Sequence, residues 1–291
     1  MVTVLLSGGL GNQMFQYAAA RALANRLHTT VLVDTYALEK KTDTTIRNYQ
    51  LDVFQFKAKR VSSLKNKLFV KARPFIQGHR AFFARSGFFS DYWAIKYDPD
   101  FESLKGNITL SGYFQNEKYF CDSATEVRTD FIFKEPLSGK NLELSDKLIC
   151  TESVSIHIRR GDYLSDKNAV NNFVTCPKEY YQSAIEYIMS KTVNPFFYIF
   201  SDDIDWVREN IVFPDDRVEY VDWNRGADSY RDMQLMSLCT HNVIANSSFS
   251  WWAAWLNTNS NKIVIAPQKW FRNEEKNALL DDFYPYGWIK V

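Results

Sequence analysis

The sequence predicts an α/β protein built of two doubly wound, Rossmann-like domains. Three observations predict it. A chain of 291 residues exceeds the roughly 100–200 residues of one ordinary domain. Its first 34 residues read as strand, glycine loop, Ala-rich helix and strand. From Val154 onward, short apolar runs alternate with helical periodicity, the pattern of a parallel sheet with crossover helices.

The elements follow in order. Residues 2–6 form a continuous apolar strand, 8–13 a tight loop, 14–27 a helix and 30–34 a second strand. In the helix Phe15, Ala18, Ala22 and Leu23 fall near helical spacing. The middle is less regular. Residues 57–90 carry nine Lys and Arg without one Asp or Glu, and Val61, Leu64, Leu68 and Ala72 fit one helical face. Two readings stand: a basic amphipathic helix lying on anionic lipid, or a solvated face whose Lys stems cover core. Pro74 limits the helix and tilts the balance towards the solvated face. Residues 134–150 read as a linker and short helix, which divides the chain into domains 1–145 and 146–291. Beyond it, strands are expected at 154–158, 196–200, 218–221, 243–245 and 263–266, and helices at 178–190, 204–210, 228–240 and 249–257. In such a pair of domains the ligand is expected between them, at the carboxyl ends of the strands.

Composition narrows the function. Hydrophobic residues are 46% and charged residues 24%, enough apolar material for a full core. The net charge of +1 argues against a general nucleic-acid binder. Aromatics at 16% suit sugar-binding surfaces and cores equally. The four cysteines make no C-x-x-C pair and the four histidines are scattered, so neither a zinc site nor a disulfide framework is indicated. The opening residues read as a buried strand rather than a secretory signal. No apolar run reaches the roughly 18 residues of a membrane span, and the expected compartment is the cytosol, with contact at the inner membrane face if the basic stretch meets lipid.

Three constellations carry chemistry. Gly8-Gly9-Leu10-Gly11-Asn12-Gln13 is neither G-x-G-x-x-G nor a P-loop. Its glycines let backbone approach a ligand at a helix N-terminus, or simply turn the chain. His157-Ile158-Arg159-Arg160-Gly161-Asp162 ends a buried strand. His157 and Arg159, two apart, share a face, and arginines there suit a diphosphate. Asn246-Ser247-Ser248-Phe249-Ser250-Trp251-Trp252 runs from a strand into a helix. Ser247 or Ser248 can cap that helix, leaving amides and dipole for a second anion contact, while the tryptophans read as packing. Asp202-Asp203 admits a metal pair or, at least as well, an N-cap for a helix near Ile204.

Together these motifs resemble the hallmarks of the α-1,2-fucosyltransferases, glycosyltransferase family eleven. The resemblance implies a two-domain GT-B architecture. It implies an inverting, metal-independent reaction that moves L-fucose from GDP-fucose to O2 of a terminal galactose, with GDP-fucose as donor substrate and no cofactor. It places His157 near guanine, Arg159 on the pyrophosphate, and Ser247, Ser248 and Phe249 on the β-phosphate, with Gly9 and Gly11 in the donor-binding set. An aspartate sixteen residues before the second serine of the Ser-Ser pair is implied at guanine; counting back from Ser248 gives Asp232. Asn12 is placed near fucose and acceptor. Asp162 is the candidate general base, or else a partner that orients Arg159 or Arg160. Another acceptor hydroxyl, or a non-catalytic sugar-nucleotide module, are the alternatives.

Overall fold

The computed structural model describes residues 1–291 apart from 39–47, 63–65, 70–79, 92–93, 162–165 and 215. The chain divides into two compact units: Met1–Glu135 with Leu279–Pro285, and Pro136–Ala278 with Tyr286–Val291. The boundary therefore falls at Pro136, not at 145/146. The reason is the helix Lys140–Cys150, which starts after Gly139 in a positive-φ conformation (φ 54°). It buries Leu144 and Leu148, and the Leu148 carbonyl accepts from Ser153 at the head of the next strand. The segment Leu279–Pro285 returns to the first unit, where Asn116 Nδ2 donates to the Asp282 carbonyl at 2.8 Å.

The first unit is a parallel sheet of β1 (Val2–Leu5), β2 (Val31–Asp34), β3 (Lys59–Val61), β4 (Phe88–Ser90) and β5 (Ile108–Ser111), in the order β3-β2-β1-β5-β4. β1 is central, and Val2 and Val4 are fully buried, as a continuous apolar run in a parallel sheet requires. The chain winds outward from β1 through β2 to β3, then crosses to the opposite edge at β4 and returns inward to β5 beside β1. Two expectations are corrected here. The helix after β1 spans Leu10–Arg26, so residues 10–13 are its first turn and the loop is Leu6–Gly9. Val61 ends β3, paired with Asp34, rather than opening a helix. Residues 66–69 are helical, but Leu68 is exposed while Phe69 is buried against Leu5, so the apolar face inferred for 61–72 is not the one formed there. Leu64 and Ala72 lie outside the described residues.

The second unit holds β6 (Glu152–Ile158), β7 (Pro195–Ser201), β8 (Val218–Val221), β9 (His241–Val243), β10 (Val264–Ala266) and β11 (Ile289–Lys290), all parallel, in the order β11-β10-β9-β6-β7-β8. That is the doubly wound dinucleotide-binding order, with its switch point between β6 and β9. Val154, Ile156 and Ile158 on one face pack with Phe197 and Ile199 against the helix Lys178–Lys191 through Tyr181, Ile185 and Ile188. Ser153, Ser155 and His157 alternate to the other face. The expected strand at 243–245 sits two residues earlier, and the expected helix at 228–240 shortens to Tyr230–Met236, because the chain must turn after Met236 to enter β9. β11 was not anticipated. The aromatic richness is largely core: Phe15, Phe54, Phe101, Phe114, Phe120, Phe131, Trp251 and Trp252 are all fully buried. Among the described residues no helix is long and apolar enough to cross a membrane.

Candidate active site

In the second unit, β6 and β7 run in register with Ile158 opposite Ser201. One step further, Arg159 meets Asp202 and Arg160 meets Asp203. The Arg159 Nη1 lies 3.1 Å from Asp202 Oδ2, and the Arg160 backbone N–H donates to Asp202 Oδ1 at 2.8 Å. Arg160 Nε donates to Asp203 Oδ2 at 3.1 Å, and its guanidinium lies 3.7 Å over the Trp206 ring. Asp203 Oδ1 also accepts from Trp206 N, capping the helix Ile204–Asn210. Asp202 and Asp203 thus hold the two arginines and a helix end. Sequence reasoning gave the orienting part to Asp162, which lies outside the described residues. Pairing the strand ends Arg-Arg and Asp-Asp by register would have found the pair. A Cβ on Gly161 would come within 3.0 Å of Asp202 Oδ2, so the glycine leaves room for that carboxylate.

β6 also pairs β9, with Ile156 opposite Val243. Arg159 and Asn246 are each three residues past that pair, at the switch point. Ser247 is the N-cap of the helix Ser248–Leu256, its Oγ accepting from Phe249 N at 3.3 Å. His157 is buried, and its ring centroid lies 5.7 Å from that of Phe249, which brings the His-x-Arg strand and the capped helix together. Asn246 reaches elsewhere: its Nδ2 donates to the Val174 and Trp270 carbonyls, tying two loops under the helix. Trp251 and Trp252 are core, as expected.

Asp232 sits in the first turn of the helix Tyr230–Met236. Its carboxyl accepts from Asn224 Nδ2 at 2.8 Å. Burial pushes its pKa up to about 7, and the Asn224 hydrogen bond offsets part of that rise. Asp232 stands on a different element of the same unit from Arg159, Ser247 and His157.

The first unit builds a different site. Gly8 (φ +76°) has Asn12 over it, where a Cβ would come 2.4 Å from Asn12 Nδ2. Gly9 is the N-cap of the helix Leu10–Arg26 and uses no side chain for it, and Gly11 lies buried in its first turn. Asn12 Oδ1 accepts from Gln115 Nε2 at 2.7 Å. Two buried amides lock this loop. Gln13 Nε2 donates to the Gly8 and Asn48 carbonyls, and Gln16 Nε2 donates to Ser7 Oγ and the Gly112 carbonyl, while Gln16 Oε1 accepts from Ser7 N. Gln16 and Gln115 were missed by sequence reasoning, because nothing local marks an amide as buried. Asp91 is buried and accepts from the N–H groups of Ala94 and Phe114, both at positive φ. Among the described residues no three His, Cys, Asp or Glu side chains cluster as a metal would need.

The model of the family described as "Glycosyl transferase family 11" matches residues 80–291. The chain belongs to glycosyl transferase family 11. It is similar to the Escherichia coli alpha-1,2-colitosyltransferase, 35% identical with 100% of this chain and 99% of that protein covered. It is similar to the O-antigen biosynthesis glycosyltransferase WbnK of the same organism, at 34% identity with 98% and 99% covered. Against galactoside alpha-(1,2)-fucosyltransferase 1 of Saimiri boliviensis boliviensis the match is 25% over 51% of this chain and 43% of that one. Among solved structures, NodZ alpha-1,6-fucosyltransferase soaked with GDP-fucose aligns with a TM-score of 0.51 at 12% identity, covering 88% of this transferase and 92% of NodZ. The likeness bears on the fold, which is of the GT-B-like α/β class.

Proposed function

We propose that this transferase moves L-fucose from GDP-fucose to O2 of a terminal galactose, with inversion, forming an α-1,2 linkage. The observation that carries the reading is the juxtaposition at the second unit's switch point. Arg159 directly follows β6, the strand next to the one that leads into the Ser247-capped helix Ser248–Leu256, and the His157 and Phe249 rings meet. A guanidinium and helix-terminal amides are the groups a departing diphosphate needs.

In this reading Arg159, Ser247, Ser248 and Phe249 stabilise the charge that grows on the β-phosphate as the glycosidic bond breaks. Asp202 fixes the Arg159 fork before the substrate arrives, so little reorganisation remains. His157 and Asp232 serve guanine, whose N1 and N2 hydrogens a carboxylate accepts. Gly9, Gly11 and Asn12 serve the sugar and the acceptor. Asp162 removes the acceptor proton late in the reaction. The reaction needs no metal in this account, because Asp202 and Asp203 are engaged by arginines and a helix cap; activity is expected to survive EDTA.

The full-length similarity to a colitosyltransferase supports a second reading, in which the donor is GDP-colitose. Colitose is L-fucose without its O3 hydroxyl. The test is GDP release and product formation with GDP-fucose and GDP-colitose against galactosides such as lactose, with linkage read by NMR. An α-1,2-fucosyl product at the higher kcat/KM supports the first reading. Preference for GDP-colitose turns to the second, and no transfer from either overturns both.

A further inference from the structure

Trp223, Asn224 and Asn141 form a chain that ends on Asp232. The Trp223 indole Nε1 donates to Asn141 Oδ1 at 2.8 Å. Asn141 Nδ2 donates to Asn224 Oδ1 at 2.8 Å, and Asn224 Nδ2 donates back to Asn141 Oδ1 at 2.9 Å. Asn224 Nδ2 also donates to Asp232 Oδ1 at 2.8 Å.

The order of this chain is dictated chemically. An amide can turn over and exchange its oxygen and nitrogen, but an indole N–H can only donate. Trp223 therefore requires an oxygen from Asn141 at that point. Asn141 must then present nitrogen to Asn224, whose oxygen is drawn towards it. That leaves the Asn224 nitrogen facing Asp232. A donor facing a carboxyl favours its ionised form, whereas an oxygen there would favour the protonated one. One indole N–H thus sets the polarity of two amides and, through them, the charge of a half-buried carboxyl.

We infer that Asn224, held by Asn141 and Trp223, is a positioning residue that keeps the Asp232 carboxylate aimed and ionised for the guanine of the donor nucleotide. The inference rests on the assignment of Asp232 to guanine above. Among the described residues, burial and Asn224 account for the shift at Asp232. The neighbouring charges have partners of their own. Arg231 Nη1 donates to the Pro136 carbonyl and to Gln234. Lys140 lies over the Trp223 ring, and Arg225 Nε donates to the Asp222 carbonyl. Asp228, one turn earlier, is exposed.

The role is separable from mere structure. Carboxyl 13C NMR gives the Asp232 pKa directly in the intact protein, and calorimetry gives GDP affinity from pH 5.5 to 8.5. The Asp232→Asn variant supplies the titration of the GDP phosphate itself. Loss of one hydrogen bond to a charged group is expected to raise the Asp232 midpoint by about one pH unit in Asn224→Leu. GDP affinity then falls about fivefold at pH 7 and returns to within about 1.5-fold of wild type at pH 8.5. Trp223→Phe keeps the ring but frees the amides to turn, and should move the midpoint the same way by less. Melting temperature, measured alongside, identifies a variant that fails to fold, and Trp223→Phe then carries the test. An unmoved Asp232 midpoint in folded Asn224→Leu and Trp223→Phe overturns the inference and leaves the guanine assignment standing. A midpoint that moves while GDP affinity follows the Asp232→Asn profile in every variant overturns the guanine assignment instead.

Discussion

At the carboxyl end of β1 the polar side chains are amides and hydroxyls: Ser7, Asn12, Gln13, Gln16 and Gln115 bond to one another and to backbone. At the carboxyl end of β6 they are Arg159, Arg160, Asp202 and Asp203. Both sheets are parallel, each with its first strand in the interior and the next two stepping outward from it; the chemical difference lies in the side chains at the ends of those first strands. Neutral amides match sugar hydroxyls, which donate and accept at modest strength. A guanidinium fixed by a carboxylate beside a capped helix matches a diphosphate, whose charge grows as it leaves. In the proposed reading the two units take separate tasks, with donor chemistry in the second and acceptor chemistry in the first.

The sharpest way to break this comparison is at Arg159. Arg159→Ala is expected to lower kcat by on the order of 10²–10³, the scale of a preorganised charge-stabilising group. Arg159→Lys should recover little, since an ammonium lacks the fork. Arg160→Ala should act mainly on stability, because its guanidinium is spent on Asp203 and Trp206. Steady-state kinetics with melting temperatures check this; a folded, inactive Arg160→Ala with a near-normal Arg159→Ala would exchange the two roles.

A second effect is set by pH. The folded pKa of Asp232 is raised, so its ionised form is the disfavoured one in the folded protein, gained only as pH rises through about 7. In the proposed reading guanine takes that ionised form. GDP affinity, relative to Asp232→Asn, should therefore rise about tenfold between pH 6 and pH 8. A flat ratio across that window would remove Asp232 from the nucleotide site.

The first unit sharpens the comparison through stability. Gln16→Leu strands the Ser7 N–H and the Gly112 carbonyl in a buried site, at a cost of about 2–4 kcal/mol. It should lower Tm and raise the KM for acceptor, while GDP affinity stays near wild type. Gly8→Ala, which drives a Cβ towards Asn12 at positive φ, should act in the same direction. Loss of GDP binding in either variant would blur the division between the units.

The smallest effect concerns residues 57–90. Val61 belongs to β3 rather than to a helix, so the helix read over 61–72 does not start there, and the solvated-face reading is carried forward as the expectation. Sedimentation with anionic vesicles at low salt, where surface charge acts most strongly, is expected to show no binding.

Much of the second unit was legible. The helix Ile204–Asn210 and the strand Val218–Val221 fall where periodicity put them, because strong apolar patterning and turn residues agree there. The helix cap at Asp203 and the core role of Trp251 and Trp252 were legible for the same reason. β3, β4 and β5 were not: β3 and β4 are three-residue strands inside the basic stretch 57–90, and β5 is a four-residue strand in the less regular middle of the chain. The partner of Arg159 was also hidden. Asp202 lies 43 positions away along the chain, and only the pairing of β6 with β7 makes it a neighbour. Buried amides such as Gln16 escape for a related reason, since burial of a polar group is decided by tertiary contacts.

The division of labour is tested most directly by calorimetric titration of GDP into the wild type, Arg159→Ala and Asn12→Ala. GDP is expected to bind the wild type, to lose about tenfold or more in affinity to Arg159→Ala, and to bind Asn12→Ala within about twofold of wild type, with UDP weaker throughout. Undiminished binding to folded Arg159→Ala, together with loss of binding to folded Asn12→Ala, would place the nucleotide in the first unit and contradict the account.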